Sequence, residues 1–341
     1  MPRPRPGPNP IDGFALTSED FGYIGNDLRR PESVLALRDG TIWCSDSRGG
    51  ATKIAASGEQ TLVLQQPAEH FHGSAPNGLA LDRSGAVVIA NFGTDRVETM
   101  SPSGTSSVLF DAVGGEWPGK VNFVLCDSRD RLWITISTMQ RTSPPSLRPD
   151  VEDGRILLYE RGSGVRVVAE GIRFSNECRL DATEEWLYVA QTTGRNVVRL
   201  RVGPDGSLGP PEVFGPPDHG RFIDGLAFDA YGNLWGTYVM ADGIFALTPE
   251  GELRMIFDDS TSDEVEALDQ AFRRSELTVE RQVASGGRVA RWTSSLAFGG
   301  EDLRTVYVGS VRQRAIAYFR SPAPGMPLPH WRERDDGGSR S

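Results

Sequence analysis

Phe222-Ile-Asp-Gly-Leu-Ala-Phe-Asp-Ala-Tyr-Gly-Asn-Leu-Trp-Gly-Thr-Tyr238 carries the clearest structural signal in this sequence of 341 residues. The run contains Asp224, a short apolar segment, a turn with Gly232 and a second apolar segment that begins at Leu234. Alternating apolar residues on both sides of a turn that contains glycine are typical of a β-hairpin. We therefore predict a hairpin here, headed by Asp224.

The same hairpin pattern recurs along the chain, and each copy is headed by a polar residue. The heads are Glu32, Asn77, Asn122, Asn176, Asp224 and a serine near Ser294. Successive heads are 45, 45, 54, 48 and about 70 residues apart, and repeats of this length with hairpins in each unit are typical of β-propellers. Six copies predict an all-β, six-bladed β-propeller. A β-sandwich is the alternative, but sandwiches do not repeat a polar head at a fixed register.

Composition divides the chain into one domain and two tails. Residues 1–12 are rich in proline and are predicted to form a disordered leader, and the polar residues 326–341 a disordered tail. The single propeller domain is then 13–325. We expect residues 13–31 to contain the strand that closes the ring, because closure removes exposed sheet edges.

The long last interval predicts a short helical insertion between blades five and six. Residues 258–274 begin with Ser and Asp, and Val265, Leu268 and Phe272 then form one apolar stripe, as in a capped helix. Three interpretations of residues 258–292 stay open: a lid, a contact surface for a second subunit, and a plain helical decoration.

Overall composition describes a soluble globular protein. Hydrophobic residues make up 38% and charged residues 24%, and the net charge is −10, which argues against a nucleic-acid surface. No run approaches the roughly 20 apolar residues that span a membrane, and the N-terminus lacks the apolar core of a secretory signal. Cys44, Cys126 and Cys178 show no paired spacing. We expect reduced core thiols in a cytoplasmic protein, with no nucleic-acid or membrane partner.

The polar heads begin corresponding strands, so their side chains should converge on the propeller axis. Two acids and several amides in one channel are costly to desolvate unless something compensates them. A divalent cation would do so, and oxygen ligands favour Ca²⁺ or Mg²⁺, with Mn²⁺ and Zn²⁺ as alternatives. Channel water that is hydrogen-bonded to these residues explains the pattern equally well.

From about Glu32 to Tyr318 the chain resembles the gluconolactonase/regucalcin (senescence marker protein) family of six-bladed propellers. In that family one divalent metal is held by a Glu, two Asn and an Asp, each at the head of a different blade. The resemblance implies four metal ligands, Ca²⁺ being the preferred ion: Glu32, Asn122, Asn176 and Asp224.

The resemblance also implies hydrolysis of a lactone, a cyclic ester, with Asp224 as the general base. Lys120 stands where the family usually has a substrate-binding Arg, and we expect Lys120 and Asn77 to bind substrate. Phe123 and Glu177 replace the residues that usually follow the two family asparagines, and are predicted to change the pocket wall.

Other functions remain open at this stage. The same metal site would serve an aryl-ester or organophosphate hydrolase, because one fold hosts many chemistries. A propeller that binds calcium without catalysis would also keep the four ligands. No Gly-x-Ser-x-Gly motif is present, which disfavours a serine nucleophile. The expected partner is a small-molecule lactone or ester, and the protein is expected to be a monomer or a homodimer.

Overall fold

Six four-stranded antiparallel sheets form the protein, as the repeat predicts. The computed structural model describes residues 7–141 and 146–331. The first strand of each sheet contacts the first strands of the two neighbouring sheets, so that six innermost strands surround a common axis. The predicted six-bladed propeller is confirmed. No helix within the described ranges is long and apolar enough to cross a membrane.

Each blade is built from strands that are consecutive in the chain, except the last. The closing strand and blades one to three comprise β1 (Gly22–Ile24), β2 (Val34–Ala36), β3 (Ile42–Asp46), β4 (Gly50–Ile54), β5 (Gln60–Leu64), β6 (Pro76–Leu81), β7 (Val87–Asn91), β8 (Arg96–Met100), β9 (Ser106–Phe110), β10 (Val121–Cys126), β11 (Leu132–Ile136), β12 (Gly154–Glu160) and β13 (Gly164–Ile172). Blades four to six comprise β14 (Ser175–Leu180), β15 (Trp186–Gln191), β16 (Asn196–Arg201), β17 (Glu212–Phe214), β18 (Phe222–Phe228), β19 (Leu234–Val239), β20 (Gly243–Leu247), β21 (Leu253–Asp258), β22 (Thr293–Gly299), β23 (Thr305–Ser310) and β24 (Ile316–Arg320). Short 3₁₀ helices occupy Ser18–Asp20, Ala68–Phe71 and Pro329–Trp331.

The ring is closed by a strand from the N-terminal part of the chain, as expected. β1 pairs antiparallel with β24, and Gly22 lies opposite Tyr318. Blade six therefore combines both ends of the domain, and β1 pairs with the edge of β24 that would otherwise be free.

The core lies between neighbouring sheets, because every blade is apolar on both faces. Trp133 and Trp235 are fully buried on the second strands of blades three and five. Each indole N–H donates to an aspartate at the preceding turn, Asp127 and Asp229, at 3.0 Å. Each of these two indoles thus fills the space between its blade and the next one, while its N–H stays hydrogen-bonded.

The predicted helical insertion contains two helices, α1 (Ser262–Arg273) and α2 (Val279–Ala284). The hydroxyl of Thr261 accepts a hydrogen bond from the amide of Glu264 and so caps α1. The apolar stripe of α1 is buried through Leu268 and Phe272, and the Phe272 ring lies 5.2 Å from the Phe222 ring. The insertion is therefore packed onto the propeller.

Parts of both predicted tails are folded. Ile11 is buried in the core between blades five and six, and the Asn9 side chain exchanges hydrogen bonds with Asn233. At the other end, the Trp331 indole donates to the Ala36 carbonyl at 2.8 Å. The prediction of disorder is therefore wrong for residues 7–12 and 326–331, because it counted composition and not contacts distant in sequence. Residues 1–6 and 332–341 lie outside the described ranges.

We expect Trp331→Ala to lower the free energy of unfolding by about 2–3 kcal/mol, because a buried indole is lost and a cavity remains. Trp331 is 8% exposed, beside the first strand of blade one. Urea unfolding followed by far-UV circular dichroism measures the change. Trp331→Phe, which keeps a ring but not the N–H donor, should lose only about 1 kcal/mol. Equal stability of wild type and Trp331→Ala would show that the C-terminal segment does not stay docked.

Candidate functional site

Five of the six polar heads line one cavity of about 250 Å³, where the innermost strands begin. The five heads are Glu32, Asn77, Asn122, Asn176 and Asp224. Lys120 also lines this cavity. The sixth head, Ser294, instead donates its hydroxyl to the Glu32 carbonyl at 2.7 Å. The convergence predicted from the repeat thus holds for every head except the serine. We call this space the axial cavity.

Local irregularities of the innermost strands aim the heads at the axis. In β6, β10, β14, β18 and β22 the pairing register shifts at the head residue, as in a β-bulge. A bulge adds one residue to a strand and turns its side chain away from the regular alternation. The bulges therefore move polar side chains out of the interblade core and into the channel.

Buried hydroxyls on the second strands satisfy the backbone amides that these bends leave without a ladder partner. Ser45, Thr135 and Thr237 accept from the amides of Ser33, Phe123 and Gly225 at 2.8–3.1 Å. Each hydroxyl lies twelve positions after its amide donor. This spacing was a sequence signal for the bends, which the hairpin pattern alone did not reveal.

Three oxygen atoms in the axial cavity are buried and have no hydrogen-bond partner among the described residues. They are Glu32 Oε2, Asn176 Oδ1 and Asp224 Oδ1. All three side chains are at most 5% exposed. Buried polar atoms without partners are rare in folded proteins and call for a ligand or water.

Two neighbouring groups fix the orientation of the amides. The Asn176 Nδ2 donates to Thr192 Oγ1 at 3.1 Å, which leaves its Oδ1 facing the cavity. The Asn77 Nδ2 donates to Glu32 Oε1 at 2.9 Å and to the Asn122 carbonyl at 3.0 Å. Asn77 therefore links blades one, two and three and holds two other heads in place.

Burial and mutual repulsion oppose ionisation of the two acids. Burial raises the pKa of Asp224 well above its usual range, and the Glu32 charge raises it further. Burial also raises the pKa of Glu32, against the lowering effect of the Arg30 cation. Two buried carboxylates this close are unfavourable as a pair of anions unless a cation lies between them.

The donor set suits a hard divalent cation. Two carboxylates balance its charge, and amide oxygens complete an all-oxygen ligand set. Within residues 7–141 and 146–331, no three His, Cys, Asp or Glu side chains are grouped to hold a metal ion. A metal here would therefore need the amide oxygens of Asn122 and Asn176 besides Glu32 and Asp224.

Lys120 reaches the axial cavity, but its charge is already paired. The Nζ donates to both carboxylate oxygens of Asp95, at 3.0 and 3.2 Å, and lies 5.3 Å from the centre of the Phe92 ring. The Trp117 indole donates to the same carboxylate at 3.1 Å. Lys120 therefore offers one remaining N–H to a bound molecule rather than an unbalanced charge.

Phe123 and Glu177 do not line the axial cavity, so the predicted role of both in its wall is wrong. Phe123 is 3% exposed and packs in the core between blades three and four, with the Arg179 guanidinium 4.7 Å from its ring centre. Glu177 accepts from Arg179 at 2.8 Å and from the Leu226 amide at 3.1 Å. Both residues follow a head directly, and adjacent residues of a strand point to opposite sides.

Arg30 lines the axial cavity, although no sequence pattern singled it out. Its Nη2 donates to Asn77 Oδ1 at 2.5 Å and its Nη1 to the Pro76 carbonyl at 3.2 Å. The only sequence feature that marks it is its position two residues before Glu32. Contact with Asn77 depends on the neighbouring blade, which no local pattern reveals.

The insertion covers one side of the axial cavity. Gln282 and Trp292 from the insertion, and Leu147 from the connection between β11 and β12, are part of the wall. Asp242 accepts from the amides of Trp292 and Thr293 at 2.8 and 3.0 Å, which anchors the end of the insertion to blade five. Of the three interpretations, a cover over the cavity fits these contacts.

His219 lies outside the axial cavity. Its Nδ1 is 2.8 Å from the Tyr238 hydroxyl, and its ring packs 5.0 Å from the Phe245 ring. Burial lowers its pKa to about 4, although the Asp218 charge acts in the opposite direction. His219 is therefore neutral in the folded protein at neutral pH.

We expect His219 to make the protein less stable in mild acid. The unfolded chain takes up a proton below pH ~6.5 but the folded protein only below about 4, so this stability is present above 6.5 and lost as the pH falls toward 4. Between pH 7 and pH 5 the loss should be on the order of 1–2 kcal/mol. Urea unfolding at both pH values should show a smaller loss for His219→Gln. Equal losses would refute the assignment to this residue.

Comparison with known proteins identifies relatives over most of the chain. Residues 30–261 match the model of the SMP-30/Gluconolactonase/LRE-like region. A 6-deoxy-6-sulfogluconolactonase from Pseudomonas putida is 26% identical over 171 residues, which is 49% of this chain and 48% of that protein. The match therefore spans about half the length of this curated relative.

Solved structures show the same fold at low identity. A gluconolactonase from Xanthomonas campestris superposes with a TM-score of 0.66 at 16% identity, over 89% of each chain. A protein called a calcium-binding regucalcin, from Agrobacterium tumefaciens, superposes with a TM-score of 0.67 at 16% identity, over 94% of this chain and 99% of that one.

Proposed function

The chain belongs to the SMP-30/gluconolactonase/LRE-like family, and from this premise we propose that it is a hydrolase that opens a lactone with one divalent metal ion, Ca²⁺ being preferred. One observation carries the proposal: the unpartnered oxygens of Glu32, Asn176 and Asp224 meet in one cavity. The Pseudomonas putida relative is a lactonase by name. Three free, buried thiols support a reducing, cytoplasmic setting.

Glu32, Asn122, Asn176 and Asp224 would hold the metal ion. When bound, such an ion polarises an ester carbonyl and stabilises the negative charge that develops on its oxygen. Asn77 positions two of these ligands by donating to the Glu32 carboxylate and the Asn122 carbonyl. Because both of its N–H groups are used in this way, we assign Asn77 to positioning rather than to direct substrate binding.

Asp224 is the proposed general base. Its carboxylate would take a proton from the attacking water as the water oxygen bonds to the lactone carbonyl carbon. The ring C–O bond then breaks, the alkoxide leaving group takes the proton back from the Asp224 carboxyl group, and the product is a hydroxy acid. The apolar side chains of Leu147 and Trp292 form part of the cavity wall.

Lys120 is the proposed substrate contact. Two of its three N–H groups donate to Asp95, which leaves the third free. Because Lys120 lines the cavity, this N–H is available to a bound molecule. A lysine ammonium binds a hydroxyl or carbonyl oxygen as a point donor and lacks the planar fork of arginine. We therefore expect Lys120 to accept substrates with different hydroxyl patterns.

Aryl-ester hydrolysis is a second candidate on the same metal site. The cavity wall contains the aromatic rings of Phe92, Phe174 and Trp292, which favour a less polar substrate than a sugar. Binding of calcium without turnover is the third candidate, supported by the description of the Agrobacterium tumefaciens structure as calcium-binding.

A pH-stat assay separates the three candidates. Metal-free protein is given Ca²⁺, Mg²⁺, Mn²⁺ or Zn²⁺ in turn, with sugar lactones, aliphatic lactones and phenyl esters as substrates. Turnover of lactones that returns with a metal supports the proposal, and faster turnover of phenyl esters favours the second candidate. Metal binding in calorimetry without turnover of any ester would replace the proposal with the calcium-binding function.

A further inference from the structure

We infer that Arg30 binds an anionic group carried by the substrate, so that the preferred lactone is an acid rather than a neutral sugar lactone; this inference rests on the proposed function. The first observation that supports this inference is the location of the Arg30 side chain. Its guanidinium lines the axial cavity and is fixed by Asn77 Oδ1 and the Pro76 carbonyl.

The backbone of Arg30 is held in an unusual conformation. Its φ is 56°, in the left-handed region that residues with a side chain seldom adopt. The Arg30 carbonyl accepts from the Glu32 amide at 2.8 Å and from the Ser45 hydroxyl at 3.3 Å. Strain of this kind persists where surrounding contacts enforce it and often marks a functional position.

Within the described ranges, Arg30 is the one cation of the axial cavity that has no carboxylate within ion-pair distance. The other cation, Lys120, is paired with Asp95 at 3.0 Å. Outside the axial cavity, Arg179 is paired with Glu177 at 2.8 Å. The two hydrogen-bond partners of Arg30 are a carbonyl and an amide oxygen, both uncharged, so that no carboxylate contacts its guanidinium directly. Its charge acts on Glu32 and Asp224 through space.

Charge balance then leaves one positive charge in the loaded site. Glu32 and Asp224 offset a divalent cation, and Asp95 offsets Lys120. Among the charged residues that line the cavity, only Arg30 remains, and a guanidinium keeps its charge at every physiological pH. A cavity with one excess positive charge favours an anionic ligand over a neutral one of the same shape.

The free donors of Arg30 match an anionic oxygen group. A guanidinium has five N–H donors in a planar fork, and the contacts with Asn77 and Pro76 use two of them. The remaining donors can bind a carboxylate through two parallel hydrogen bonds. The anion could instead be the carboxylate formed by ring opening, and the test has to separate this source from a group on the intact substrate.

Two lactones that differ at one carbon provide the test. D-Glucaro-1,4-lactone carries a carboxylate where D-glucono-1,4-lactone carries CH₂OH. We expect wild-type kcat/KM to be roughly tenfold or more higher for the acid lactone. In Arg30→Gln this ratio should fall toward one, and in Arg30→Lys it should be intermediate. The ratio is independent of the fraction of folded enzyme, because both lactones are measured on the same preparation.

Arg29→Gln is the matched control, since Arg29 is exposed and pairs with Asp27 at 3.2 Å outside the cavity; its ratio should equal that of wild type. Equal kcat/KM of wild type for the two lactones would overturn the inference and leave the proposed function intact. An equal loss for both lactones in Arg30→Gln would also overturn it, because Arg30 would then act alike on both substrates, either through the carboxylate formed by ring opening or through its hydrogen bond to Asn77.

Calorimetry provides a readout that does not depend on turnover. With Ca²⁺ present, D-glucarate should bind wild type roughly tenfold more tightly than D-gluconate, and Arg30→Gln should lose this difference. If wild type hydrolyses neither lactone, the proposed function fails, and the binding ratio alone decides the role of Arg30. Equal affinity for the two anions in wild type would refute it.

Discussion

Replacing Asp224 with Asn should lower kcat/KM for lactones by about 10³-fold, because the change removes both a general base and one charge that holds the metal. The fold should persist, since the amide has the same shape and carries no charge to bury. We expect the metal-free variant to unfold at the same temperature as metal-free wild type or higher, because burial disfavours the ionised carboxylate. The pH-stat assay and a thermal unfolding scan measure the two effects.

Two companion variants make the result specific. Glu32→Gln removes the other acid of the site without altering the proposed base, and should also abolish turnover restored by metal. Asp111→Asn changes an exposed aspartate at the end of blade two and should behave as wild type. If Asp224→Asn kept a tenth or more of wild-type kcat/KM in calcium, Asp224 could not be the general base.

Adding Ca²⁺ to the metal-free protein should raise its Tm by about 5 °C at a concentration one hundred times the Kd. The ion would satisfy the buried oxygens of Glu32, Asn176 and Asp224, which have no protein partner in the described ranges. It would also remove the repulsion between the two carboxylates. Differential scanning calorimetry with CaCl₂, compared with NaCl at the same ionic strength, separates binding from charge screening.

Substitution of the residues proposed to hold the metal should reduce this rise in Tm. The loss of a carboxylate should reduce the rise more than the loss of an amide. Glu32→Gln and Asp224→Asn should show little or no rise in Tm, and Asn176→Ala a reduced rise. Repeating the scan with Mg²⁺, Mn²⁺ and Zn²⁺ ranks the ions. An unchanged Tm of wild type in all four metals would contradict the metal site itself, independently of any substrate.

Much of the architecture could be read from local patterns. Each blade repeats a polar head, an apolar strand and a turn with glycine or aspartate, so that six heads gave six blades and placed four proposed ligands at corresponding positions. The helix after blade five followed from one apolar stripe and a capping residue. These features depend on residues close together in the chain, where hairpin and helix periodicity act.

The assignment of side chains to the cavity or the core required the tertiary structure. Asn122 and Phe123 are neighbours, yet Asn122 lines the axial cavity and Phe123 packs beside Arg179. A bulge decides between these two outcomes, because a shift of one residue turns a strand's side chains to the other face. The alternation of apolar residues does not mark the residue at which the shift occurs, and the Ser or Thr twelve positions further on can be recognised as a marker only once the contacts are known.

Contacts between distant segments were likewise beyond local patterns. Trp331 docks on Ala36, and Arg30 is held by Asn77 of the next blade. The number of blades and the chemistry of their heads follow from local sequence, because both repeat within each unit. The set of side chains that share the axial cavity, and the cation there without an ion-pair partner, emerge from the folded protein alone, because both depend on how six separate units close around one axis.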